Sequence, residues 1–373
     1  MSNGRSVAAL QRIPGITQQR RFAYLGKRQR SLLALLAVSA LLALVLAGCG
    51  GSESAVHFIE PPVAANGLNG LNGNSSQPTV AQPLPAFHPY AGHLPTAPTV
   101  SANEAFLLNP ATNDIYLADN ADEEVAMAST TKIMTAYVAL TFGHLDQRIT
   151  IGADANGALL HAEYDASVAN LRPGDVLTLH DLLYGLMLPS GDDAAIAIAD
   201  GIAGSQQNFV ALMNLEAGLL DMRHTHYNDV HGLDAPHHYT TARDLARLAT
   251  AAMQNPAFAQ IVQTATYTLP ATSDHGTYSW LTTNDLLITG QQLYYPGAIG
   301  IKTGYTGQAG GCLVFAAKRS YGELIGVVLG EQDPSDVLRF VDAETLLTWG
   351  FQIEQQLPAS PSSGSSATPT ATP

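Results

Sequence analysis

The sequence predicts a mixed α/β domain in which an antiparallel sheet packs against helices, with a helical subdomain between its strands. Three observations predict it. Strand-like apolar patterns open and close the central region, helical patterns fill the middle, and short turns join neighbouring strands. Glu104 to Leu108 and Asp114 to Ala118 read as two strands joined by Asn109-Pro110-Ala111-Thr112-Asn113. Ser129 is expected to cap a helix whose apolar face includes Ile133, Met134, Tyr137 and Val138. Helices are expected next at His180 to Met187, Asp193 to Ala203, Gln206 to Met222 and Ala242 to Gln254. Gly300 to Thr306, Cys312 to Lys318 and Leu324 to Leu329 read as strands, the last two linked by Arg319-Ser320-Tyr321-Gly322, and Asp336 to Phe351 as a closing helix. The chain shows no internal repeat.

Composition sets the frame around this domain. The chain has 373 residues, 46% of them hydrophobic and 13% charged, enough for one sizeable core with appendages. Residues 1 to 30 carry seven Lys or Arg and no acid, so the rest of the chain holds ten basic against thirty-one acidic residues, a formal charge of −21. Such an acidic body argues against a nucleic-acid partner.

The N-terminus reads as an export signal over residues 1–48, with Arg20, Arg21, Lys27, Arg28 and Arg30 preceding seventeen uncharged residues, Ser31 to Ala47. Leu46-Ala47-Gly48-Cys49 resembles the bacterial lipobox, which makes Cys49 the expected lipidation site. The alternative is an uncleaved membrane anchor, for which the apolar run is slightly short. Either way the bulk of the chain is expected outside the cytoplasm, tethered to the bacterial membrane by a lipid or by the N-terminal anchor. Arg20-Arg21-Phe22 fits a twin-arginine signal poorly. Residues 49–99, rich in Pro, Gly and Asn, read as a tether, 100–357 as the catalytic domain and 358–373 as a low-complexity tail. The two cysteines, Cys49 and Cys312, are not expected to form a disulfide, and Cys312 reads as a buried small hydrophobe.

Only four lysines occur, and two of them lie in Ser129-Thr130-Thr131-Lys132 and Lys302-Thr303-Gly304. An S-x-x-K spacing at a helix start sets a hydroxyl and an amine one turn apart, where proton transfer can activate the serine. A K-T-G run adds a cation and a hydroxyl that suit an anionic substrate end. Ser190-Gly191-Asp192 stands between them, after the apolar run Leu182 to Leu188. These three motifs, with Leu182 to Gly191, His231-Gly232-Leu233-Asp234 and Gly300 to Thr306, resemble those of the serine D-alanyl-D-alanine carboxypeptidases, the low-molecular-mass penicillin-binding proteins of peptidase family S11. The resemblance covers roughly residues 100 to 350 and implies a β-lactamase/transpeptidase-like fold.

It also implies roles. Ser129 is the nucleophile that takes the penultimate D-alanine carbonyl into an acyl-enzyme, and Lys132 its base, made neutral with help from the second cation Lys302. Ser190 relays the proton to the leaving amine. Lys302 and Thr303 hold the terminal carboxylate, Gly304, Tyr305 and Thr306 complete the substrate-binding strand, and backbone N–H groups of Ser129 and Tyr305 form the oxyanion hole. The family usually carries Asn where this chain has Asp192. A carboxylate cannot donate to a substrate carbonyl, and its charge favours a protonated Lys132. The expected partners are peptidoglycan stem peptides and β-lactams, with no metal or organic cofactor, and carboxypeptidase is expected over endopeptidase action. Some family members carry a further β-rich domain; about 20 residues follow the closing helix here, so none is expected.

Three other readings compete. A serine β-lactamase shares the motifs, but class A enzymes use an added glutamate, and between Ser190 and Lys302 this chain offers only Glu216, inside a predicted helix. A zinc peptidase is suggested by His224, His226, His231, His237 and His238, yet no H-E-x-x-H run appears. A lipoprotein that binds cell-wall peptide without turnover, with Asp192 marking a decayed site, is the non-enzymatic reading.

Overall fold

The computed structural model describes residues 85–164, 166–333 and 337–356. The export signal, Cys49, most of the tether and the C-terminal tail lie outside them. The strands among these residues are β1 (His88–Pro89), β2 (Glu104–Asn109), β3 (Asp114–Asp119), β4 (Arg148–Thr150), β5 (Val176–Thr178), β6 (Thr266–Leu269), β7 (Tyr278–Leu281), β8 (Ala298–Thr306), β9 (Gly310–Arg319) and β10 (Gly322–Glu331). The main sheet runs β1-β3-β2-β10-β9-β8, antiparallel throughout except for the short parallel pair of β1 with β3. The hairpins β4–β5 and β6–β7 stand apart from it.

Period-2 alternation divides the apolar residues of the sheet between two cores. Phe106, Leu108, Val314, Ala316, Ile325 and Val327 face a layer of helices on one side. Ala105, Leu107, Leu313, Phe315, Leu324 and Val328 pack on the other side against Phe340, Leu346, Leu347 and Phe351. All twelve strand positions are fully buried, and near-continuous burial on both faces is what a sheet covered by helices on each side demands.

The helices are α1 (Lys132–Phe142), α2 (Gly157–Tyr164), α3 (Leu179–Met187), α4 (Asp192–Ala203), α5 (Gln206–Leu219), α6 (Ala242–Met253), α7 (Pro256–Val262) and α8 (Leu338–Gln356). Local chemistry explains their starts. Thr178, Ser205, Thr241 and Asn255 each accept a backbone N–H two or three residues on, and Pro256 opens α7, where its missing N–H is no loss. The expected strands and long helices are present with shifts of a few residues at their ends, while α2, α7 and the two hairpins carry no pattern that the sequence reading resolves.

Two expectations change. Ser129 does not cap α1: it lies inside a 3₁₀ turn, Ala128–Thr131, that runs straight into the helix, and no side-chain cap is made there. Folded chain also begins before residue 100. Phe87 stacks on Phe106 at 6.0 Å and Tyr90 meets Tyr116 edge-on at 5.5 Å. Ser101 N–H, Ser101 Oγ and Ala102 N–H all donate to the Asp342 carboxylate, which fastens this leading segment to α8.

Candidate active site

Ser129, Lys132, Ser190 and Asp192 come from three elements that meet beside the terminal strand of the sheet. The 3₁₀ turn carrying Ser129 leans on β8, so closely that a Cβ on Gly304 would lie 3.0 Å from the Ser129 nitrogen. Ser190 lies in the loop between α3 and α4, and Asp192 opens α4.

Lys132 is fully buried and its Nζ has three acceptors: Ser129 Oγ at 2.8 Å, His231 O at 2.7 Å and Asp192 Oδ1 at 2.6 Å. An ammonium can donate to all three. A neutral amine keeps two of them and points its lone pair along the third, which is the geometry a base needs to take the Ser129 proton. Ser129 itself is only partly buried and open to an incoming group.

Ser190 is buried, sits at φ 66°, and its Oγ meets no hydrogen-bond partner. A left-handed serine with an unsatisfied buried hydroxyl costs stability, a combination that concentrates at functional sites. The neighbouring Asp193 keeps the loop in place: its carboxylate accepts from the Ala169, Leu171 and Ala194 amides. Burial nonetheless pushes the Asp193 carboxyl up, these three donors opposing it.

Lys302 is buried on β8 and donates to Thr303 O at 2.9 Å and, at 3.4 Å, to Thr303 Oγ1. Burial first, then the positive charges of Lys132 and Arg339, hold Lys302 well below the usual lysine range, with Asp192 pulling the other way. Thr303 Oγ1 lies 2.6 Å from Thr283 Oγ1. Arg339, from α8, donates to Gly304 O at 3.1 Å. Tyr305 is half-exposed, and Thr306 Oγ1 donates to Asp234 Oδ1 at 2.6 Å. The Thr306 hydroxyl thus braces the loop that carries Asp234.

All the predicted motif residues except Cys49, which lies outside the described residues, converge here. Sequence reading misses the His231 carbonyl as a Lys132 acceptor, Thr283, and the Arg339 tie. Nothing local marks either Thr283 or the Arg339 tie. The histidines have other duties: His226 Nδ1 pairs with His237 O, His224 with Glu124, and His238 with Thr131. Among the described residues no group of three or more His, Cys, Asp or Glu is placed to hold a metal ion. Cys312 is fully buried, as a small hydrophobe would be.

Comparison with known proteins matches this geometry. A family described as D-alanyl-D-alanine carboxypeptidase, peptidase S11, matches residues 92–333. A D-alanyl-D-alanine carboxypeptidase of Streptomyces sp. (strain K15) is 37% identical over 270 residues, covering 69% of this chain and 90% of that protein. The D-alanyl-D-alanine carboxypeptidase DacC of Escherichia coli (strain K12) is 38% identical over 262 residues, 69% of this chain but 62% of its own length. The crystal structure of the Streptomyces K15 DD-transpeptidase superposes with a TM-score of 0.64 at 36% identity, covering 69% of this chain and 99% of that one. That of the D-alanyl-D-alanine carboxypeptidase from Mycobacterium tuberculosis H37Rv gives 0.64 at 30% identity, covering 72% and 97%. With a buried lysine, a serine and the Lys302-Thr303-Gly304 stretch of β8 brought together, and a family match over residues 92–333, this chain belongs to the D-alanyl-D-alanine carboxypeptidases of peptidase family S11.

Proposed function

We propose that Ser129 and Lys132 carry the acyl transfer of this serine D,D-carboxypeptidase, and that its substrates are peptidoglycan stem peptides ending in D-Ala-D-Ala. The observation that carries this reading is the Lys132 amine, buried and 2.8 Å from Ser129 Oγ. Neutral Lys132 takes the Ser129 proton as Oγ attacks the penultimate carbonyl, and the developing oxyanion is met by the Ser129 and Tyr305 amides. The C–N bond breaks, the terminal D-alanine leaves with a proton passed by way of the Ser190 hydroxyl, and water then hydrolyses the ester. Lys302, Thr303 and the adjoining Thr283 hydroxyl supply the polar end that receives the terminal carboxylate.

The same arrangement supports penicillin binding with slow release. Glu216 is buried within α5, and its electrostatic neighbour is Tyr137. It therefore offers no support for a water-activating carboxylate beside Ser129. Incubation with penicillin is expected to give a long-lived covalent adduct on Ser129, seen by intact-protein mass spectrometry, together with D-alanine release from a D-Ala-D-Ala peptide. A Ser129→Ala variant that still forms the adduct, or rapid nitrocefin hydrolysis by the parent, would overturn the assignment.

The basic and apolar N-terminal segments and Cys49 support an extracytoplasmic protein tethered to the bacterial membrane.

A further inference from the structure

Thr131 and His238 sit behind the nucleophile, and the acyl-transfer scheme gives them no task. His238 is buried, and its Nδ1 accepts the Asn228 backbone N–H at 3.0 Å. In a neutral ring that fixes the proton on Nε2, which lies 2.8 Å from Thr131 Oγ1. A ring nitrogen that accepts a backbone N–H carries no proton of its own, and burial, opposed by the Asp229 carboxylate, likewise keeps His238 below the ordinary histidine range. With Nε2–H donating to it, the Thr131 hydroxyl turns its own hydrogen onto Ala128 O at 2.9 Å. One directed chain results: Asn228 N–H to His238, His238 to Thr131, Thr131 to the Ala128 carbonyl.

That carbonyl belongs to the peptide group whose nitrogen is Ser129 N. Because the peptide is planar, fixing its oxygen fixes the direction of its N–H. Donation into the oxygen also polarises the group and makes the N–H a stronger donor. The peptide needs such holding. Ala128 lies at φ 47°, in the left-handed region that non-glycine residues rarely occupy, and Gly232 packs so closely that a Cβ there would come 2.0 Å from Ala128 O.

We propose that His238 is a positioning residue for catalysis, holding and polarising the Ser129 amide through Thr131 so that it is ready to receive the oxyanion. This rests on the acyl-transfer reading of Ser129 and Lys132. The relay touches no substrate atom, so its contribution belongs to the transition state and is read in kcat rather than KM.

Two substitutions at one position separate the relay from simple packing. His238→Gln keeps an amide N–H near the former Nε2 and can still donate to Thr131, whereas His238→Asn reaches only as far as the former Nδ1 and leaves Thr131 without its donor. The acylation rate by penicillin and kcat and KM for a D-Ala-D-Ala peptide are measured on the full chain, with thermal stability alongside. His238→Gln and Thr131→Ser are expected within about threefold of the parent. His238→Asn and Thr131→Val are expected to lose roughly tenfold to a hundredfold in acylation at little-changed KM, less than outright loss of an oxyanion donor costs. Equal acylation by the Asn and Gln variants, or parental acylation by Thr131→Val, overturns the relay while leaving the acyl-transfer reading intact. A parent protein that penicillin does not acylate overturns both.

Discussion

Lys132 joins the Ser129 hydroxyl to the Asp192 carboxylate, at a position where the resemblance leads one to expect an asparagine. The S-x-x-K spacing makes the Ser129–Lys132 pair legible in the sequence, because one helical turn fixes both ends of the contact. Asp192 is legible as a departure, but its 2.6 Å ion pair with Lys132 is not, since it closes across sixty residues of chain. The carboxylate stabilises the ammonium form, whereas the base must be a neutral amine. In the Asp192→Asn variant the amide oxygen could still accept from Lys132, and the amide NH₂ could donate to a substrate carbonyl. Asp192→Asn is therefore expected to retain or raise the acylation rate. It should also lower thermal stability, by less than the about 3–5 kcal/mol that a stranded buried charge costs, because the amide oxygen still offers Lys132 an acceptor. Acylation kinetics and a melting curve on the same sample decide the matter. A loss above about tenfold, roughly 1.4 kcal/mol of barrier, would show that the carboxylate has a catalytic duty of its own.

At the scale of elements, the site depends on how closely β8 approaches the 3₁₀ turn. Strands β8, β9 and β10 are readable because apolar runs are bounded by turn residues. The turn is not, because Ser129 has the composition of a helix cap, whereas it lies inside a 3₁₀ turn that runs on into the helix. The hairpins β4–β5 and β6–β7 are three or four residues per strand, too short to establish a period. Helix α7 has only Asn255-Pro256 to mark its start, and at seven residues it is too short for the apolar period that would have identified it. Gly304 shows what the close approach requires. A methyl group there would press on the Ala128 Cβ at 3.0 Å, the Ser129 nitrogen at 3.0 Å and the Thr130 nitrogen at 3.2 Å. Two of these are backbone atoms that cannot swing aside, so the nucleophile's turn must move by tenths of an ångström. Misplacement near the chemistry is costly to rate. Gly304→Ala is expected to keep the fold, judged by circular dichroism, while acylation by penicillin falls severalfold, short of the about hundredfold that a misplacement of a full ångström costs. Acylation at the parental rate would mean that the turn and strand are not held in this register.

For the whole molecule, the proposed membrane tether has to hold an acidic domain. Beyond residue 30 the chain carries a formal charge of −21, and anionic lipid surfaces repel such a body within about a Debye length, roughly 8–10 Å. Among the described residues no helix is long and apolar enough to cross a membrane. For the tethering proposed above, the sequence offers Cys49, behind an apolar stretch with small residues at the junction. One acyl chain gives only marginal binding, so a cysteine bearing several chains is what would hold against the repulsion. Labelling growing bacterial cells with a tagged fatty acid is expected to mark the parent protein, and Cys49→Ala is expected to lose the mark. If the Cys49→Ala protein stays in the membrane fraction unlabelled, the uncleaved apolar segment is the anchor; if it is labelled as strongly as the parent, the lipid is attached elsewhere. Acylation of Ser129 by penicillin should be unchanged in this variant, because no step of the chemistry draws on the anchor.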